Sequence, residues 1–142
     1  MATKEGSNAV DSAVIARFGL KAGKVIQEFG YDDDVDQSLR DAIVAETGED
    51  LVDESYGDVT DGVLVWFRDG DDDLADLLVD VQSLLDDGGQ VLLLTPKAGR
   101  PGHVEPREVE EGSSLAGLHA TSTVVVGKDW TATHLAEKGR SK

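Results

Sequence analysis

Three short runs of this chain are almost wholly apolar: KVIQEF at 24–29, GVLVWF at 62–67 and QVLLLT at 90–95. Each has the length of a strand and is bounded by glycine, proline or charged residues. Strands that read as apolar throughout belong in a parallel sheet covered on both faces. Between them the apolar spacing turns helical, with Val35, Leu39, Ala42 and Ile43 in one stretch and Leu74, Leu77, Leu78, Val81 and Leu85 in the next. Alternation of this kind builds an α/β domain with right-handed crossovers.

The flanking segments extend the pattern. Val14, Ile15 and Phe18 predict a short helix over 11–20, with Asp11 or Ser12 as its N-cap. Leu51-Val52 predicts a brief strand, and 105–116 a helix with Pro106 in its first turn. Thr121–Val126 and Trp130–Leu135 flank Gly127-Lys128-Asp129 and read as a β-hairpin. Thr47-Gly48 and Asp87-Gly88-Gly89 read as stops. The expected fold is therefore a single three-layer α/β sandwich over 11–136, with a mostly parallel sheet and a C-terminal antiparallel hairpin. Residues 1–10 are expected to be a flexible segment and 137–142 a polar tail. Trp66, inside an apolar run, belongs to the core, and Trp130 to core or hairpin packing.

Composition narrows the chemistry. The chain of 142 residues has no cysteine, which removes disulfides, zinc–thiolate sites, iron–sulfur clusters and thiol catalysis. No stretch has the length or apolarity of a signal peptide or a membrane span, so a cytoplasmic domain is expected. The net charge of −16 is concentrated in one region. Residues 28–87 hold 21 acids against Arg40 and Arg68, while the flanking regions are close to neutral. Such a field opposes nucleic acid and anionic membranes. It suits a solubilising face, or steering toward a basic protein.

Ligands of open α/β sheets bind at the carboxyl edge of the strands. The turn after the first strand reads Glu28-Phe29-Gly30-Tyr31-Asp32, with one glycine and with carboxylates where a phosphate would need amides. Both the dinucleotide glycine pattern and the Walker A pattern are absent. Asp32, Asp34, Asp71 and Asp73 are the oxygens a magnesium or calcium site would draw on. Acids also favour helix starts, and neither triplet has the sixth-position glycine of a calcium loop, so no metal is expected. His103, His119 and His134 do not have a spacing that assembles a three-histidine site. No catalytic serine–histidine–acid set is legible, since Ser113-Ser114 lacks a nucleophile-elbow context.

One local anomaly stands out. Lys97, Arg100, His103 and Arg107 follow the third apolar strand in a loop shaped by Pro96, Gly99, Pro101 and Gly102. They form the basic cluster expected to take a small anionic ligand or a partner's acidic group. Pairing with the chain's own acids is the structural alternative.

From Gly62 to Leu135 the sequence resembles the latter half of a class I S-adenosylmethionine-dependent methyltransferase, on GVLVWF, a leucine-rich helix, DDGGQVLLLTP, a helix ending AGL and a terminal hairpin. The resemblance implies a Rossmann-like fold whose last strand inserts beside 90–95. Of that family's cofactor loop only Gly30 is matched, so no cofactor is expected. A degenerate cofactor site would have to use Glu28, Gly30 and Asp53. From Ile15 to Leu135 the chain is similar to a family of small actinobacterial proteins of unknown function, on FGLKAGKVIQEFGYDDDVDQSLRDAI, LLTPKAGRPGHVEP and KDWTATHL. That similarity implies a truncated Rossmann-like fold and no activity. Three functions follow as expectations: a non-catalytic binding or regulatory module, a degenerate methyltransferase, or an acidic adaptor for a basic protein.

Overall fold

The structure, a computed structural model, describes residues 22–70, 73–126 and 129–137, without the side chains of 86–89 and 137. The helix expected over 11–20, the flexible segment 1–10, Asp71 and residues 138–142 lie outside them. Among the described residues, five strands and three helices follow in the order β1 (Ile26–Phe29), α1 (Gln37–Thr47), β2 (Thr60–Trp66), α2 (Leu74–Gln82), β3 (Leu85–Pro96), α3 (Pro106–Leu115), β4 (Leu118–Val126) and β5 (Trp130–Glu137). They form one sheet in the order β1-β2-β3-β5-β4. The terminal strand inserts beside β3, as the resemblance implied.

Helix starts follow from side-chain caps. Asp36 accepts from the Leu39 amide at 3.0 Å to open α1, and Asp73 accepts from the Asp76 amide at 3.1 Å to open α2. Gly48 closes α1 in the left-handed conformation, at φ 76°, with its amide donating to the Val44 carbonyl. Helix α3 starts on Pro106, whose missing N–H costs nothing at that position.

Period-two alternation divides the core between the sheet faces. Leu64, Trp66, Leu92, Leu94, Trp130 and Ala132 face Leu39 and Ile43 of α1. Val63, Val65, Phe67, Val91, Leu93 and Leu135 face Leu74, Leu78 and Val81 of α2 and Val109 of α3. Each fully buried aliphatic side chain contributes about 1.5–3 kcal/mol, so both faces stabilise the sheet.

Two expectations are corrected. The sheet is mixed rather than mostly parallel: β1-β2 and β2-β3 pair parallel, while β3-β5 and β5-β4 pair antiparallel. The parallel half is short because β1 has four residues and Val52 contributes a single bridge, to Gln27. Nor is Asp87-Gly88-Gly89 a stop. Helix α2 already ends at Gln82, and β3 runs through the glycines from Leu85, where it pairs with Thr60 across an irregularity in the register.

Candidate functional site

Strand β1 ends on Glu28 and Phe29 at the carboxyl edge, beside the end of β2. Glu28 is only 6% exposed. Its carboxylate accepts two hydrogen bonds from Arg40 of α1, Nε at 2.7 Å and Nη2 at 2.8 Å, and a third from the Trp66 indole at 2.8 Å. A bidentate guanidinium and an indole N–H leave a buried carboxylate well satisfied. The same pairing drives the Arg40 pKa above its ordinary value.

A second arginine closes the adjoining corner. Arg68, just past β2, binds Asp34 through Nε at 2.9 Å and Nη2 at 2.5 Å, and donates from Nη1 to the Gly30 carbonyl at 3.0 Å. Asp34 is held below the ordinary carboxylate range, chiefly by its hydrogen bonds from Arg68. The Arg68 guanidinium lies 5.3 Å from the Trp130 ring centre, and Arg40 lies 4.5 Å from that of Tyr31. The two indoles meet edge to face at 4.9 Å, and Trp130 donates to the Asp34 carbonyl at 2.9 Å.

Gly30 sits where the cofactor loop of a methyltransferase would begin. Its amide donates to Glu54 at 2.9 Å. Its φ is 79°, and a Cβ there would overlap the Trp66 carbonyl oxygen. Asp53, exposed in the next loop, accepts from the Ser55 hydroxyl and amide, which lowers its pKa. All three residues that a degenerate cofactor site would use therefore carry internal contacts or close packing. A recess of about 440 Å³ remains beside them, bordered by Gly30, Glu54, Arg68 and Leu77.

The acids considered for a metal are spread over different tasks. Asp34 pairs with Arg68, Asp73 caps α2, and Asp32 accepts from the Asp33 amide at 2.7 Å. The three histidines do not gather into one site: His119 and His134 lie on neighbouring strands, and His103 lines a cavity under α3. His134 faces Thr121 and Gln90, and burial together with the nearby His119 lowers its pKa.

The basic loop is only partly gathered. Arg100 forms an ion pair with Asp129 and borders a groove containing Asp34 and Trp130. His103 faces the other side, lining a cavity under α3, with its Nδ1 3.0 Å from the Pro96 carbonyl. Arg107 is exposed on the first turn of α3, and neither it nor Lys97 has an acidic partner among the described residues. Sequence reasoning missed Arg40, Glu54 and Arg68. The signal for the two arginines was their isolation, as the only bases among the 21 acids of residues 28–87.

The sheet order, the helix-bearing faces and the edge at Gly30 define a methyltransferase-like α/β domain. The mitomycin 7-O-methyltransferase MmcR superposes with a TM-score of 0.66 at 11% identity, and the pyocyanin biosynthetic protein PhzM with 0.67 at 14%. Each match covers 92% of this chain, which spans 54% and 55% of those proteins respectively. A methyltransferase from Aquifex aeolicus gives 0.54 at 14% identity, with 88% of each chain covered. At such identities the likeness is one of fold. The chain belongs to the actinobacterial family described as protein of unknown function (DUF3052), whose profile matches residues 15–139. Its relatives include uncharacterized proteins Mb2263c of Mycobacterium bovis and Rv2239c of Mycobacterium tuberculosis, each 41% identical over 141 residues, covering 96% of this chain and 89% of theirs.

Proposed function

We propose that this chain is a three-layer, Rossmann-like sandwich serving as a non-catalytic binding module of the cytoplasm, without S-adenosylmethionine. The carrying observation is the end of β1: Glu28 is held by Arg40 and Trp66, and the Gly30 amide by Glu54. A cofactor reaching the Gly30 amide would have to displace Glu54, and one reaching Glu28 would have to break a buried ion pair, where leaving either charge unpaired is costly. The methyltransferase neighbours and the recess beside Gly30 favour a second reading, in which a degenerate site still takes the cofactor. Isothermal titration with S-adenosylmethionine separates the two. No saturable heat at millimolar cofactor supports the first, and a micromolar Kd supports the second.

The binding face of the module is the basic loop at Lys97, Arg100 and Arg107, from which His103 turns away. It takes a small anionic ligand or an acidic group of a protein partner. Lys97 and Arg107 support this because no acid among the described residues neutralises them. Titration with inorganic pyrophosphate is the direct probe, and binding should weaken in Arg100→Ala plus Arg107→Ala. Binding that is unchanged in the double variant would remove the loop from the account.

A further inference from the structure

The sheet face under α2 and α3 changes character toward one end. Along β3 its residues run Val91, Leu93, Thr95, and along β5 they run Leu135, Thr133, Thr131. Thr95 lies opposite Thr131, and Thr133 opposite Thr123 of β4. Cross-strand partners stand about 5 Å apart and alternate residues of one strand about 7 Å, so the four threonines form a staggered array across β3, β5 and β4. A cavity of about 250 Å³ lies over it, walled by Val104 and Val109 and bordered by His103 and Glu110.

Thr95 and Thr133 are only 4% and 5% exposed, which is not the state of a solvated sheet face. None of the four hydroxyls has a hydrogen-bond partner among the described residues, and none is sealed from solvent, so the hydroxyls of these residues are open to the cavity. A hydroxyl that the fold itself does not use gains nothing over a methyl, and valine would suit a strand equally well. Two residues further along, these strands do carry Leu93 and Leu135.

The lining selects the ligand's chemistry. The Pro96 carbonyl only accepts, so the proton of a neutral His103 ring sits on Nδ1 and leaves Nε2 as an acceptor. No lysine or arginine lines the cavity and Glu110 does, which disfavours an anion. The lining holds no Phe, Tyr or Trp, and the His103 imidazole is its one aromatic ring, so it offers a planar aromatic ligand little stacking surface. Hydroxyls both donate and accept, and so match a ligand bearing the same group. Because a cavity of roughly 150 Å³ accommodates benzene, this larger one admits roughly ten non-hydrogen atoms. We propose that the cavity binds a small neutral polyol of about one sugar ring. Its hydroxyls meet the threonine array and His103 Nε2, and its C–H groups meet Val104 and Val109. This site is independent of whether the β1 edge takes a cofactor.

The test titrates the full chain with D-glucose, myo-inositol and glycerol, using benzoate and indole as controls. Threonine methyl and His103 ring NMR signals report binding. At least one polyol should give saturable shifts confined to these residues at millimolar concentration. Thr95→Val plus Thr133→Val should weaken that polyol at least about tenfold, and its Tm without ligand should equal or exceed that of the parent chain. Thr131→Val repeats the affinity test with the buried pair untouched and should also weaken the polyol. The proposal is overturned if no polyol saturates, if a control binds more tightly, or if affinity survives the substitutions. A double variant that melts several degrees lower would make the hydroxyls structural and overturn it equally.

Discussion

Arg40 and Arg68 carry the tertiary logic of the β1 edge, each bidentate to one acid and each beside an aromatic ring. Removing Arg40 would strand Glu28 as a buried, unpaired carboxylate. Arg40→Ala should therefore cost about 3 kcal/mol by urea denaturation, the lower end for a broken buried pair because Arg40 is partly exposed. Arg40→Lys should recover only part of the loss, since an ammonium cannot fork to both oxygens. Two groups, one half-buried and one ion-paired, contribute to the acid side of the stability curve. His134 titrates lower in the fold than its ordinary 6.5, so the unfolded chain binds more protons and stability falls as pH drops through that value. The Asp34 contribution is present above its ordinary 3.8 and is lost as pH falls through its depressed folded value. Thermal melts at stepped pH should show the first decline near neutrality, and His134→Gln should remove it. None of these pairings was legible in the sequence, because residues 28 and 66, or 34 and 68, meet only through the sheet register. Glu28 and Gly30 could be marked as edge residues, but not that the chain itself would occupy them.

At the scale of elements, local chemistry was readable where it acts locally. The acids before α1 and α2, the apolar cores of the strands and the hairpin all follow from spacing and caps. Asp36→Ala and Asp73→Ala should each cost about 1 kcal/mol, the usual value of an N-cap, measurable as separate shifts in the denaturation midpoint. Strand β3 shows the limit. Gly88-Gly89 is a local stop signal, yet pairing of Leu85 with Thr60 carries the strand through it. The brief strand at Leu51-Val52 was visible but formed one bridge. The basic loop was visible as a cluster of charge, but the turns at 97–102 send Arg100 and His103 to different sides. Because the Arg100–Asp129 pair is exposed, Arg100→Ala plus Arg107→Ala should change stability by no more than about 1 kcal/mol. A larger loss in thermal melts would make the loop a structural anchor.

For the whole molecule, charge and fold bear on different partners. A net −16 opposes phosphate-rich partners but not a phosphate-free sulfonium cofactor, while the sheet order and helix placement match solved methyltransferases, one of them described as dependent on S-adenosylmethionine. The end of β1 is therefore where the question is decided, since a shared fold does not transfer a site. The Trp66 indole and the Gly30 amide report on that edge directly, because both protons are donated to the chain's own carboxylates. Nitrogen–proton NMR of the full chain with millimolar S-adenosylmethionine is thus the sharpest measurement. The account expects both signals to stay in place and the Trp66 indole proton to remain protected from exchange. Saturable movement of either signal, with loss of that protection, would contradict it.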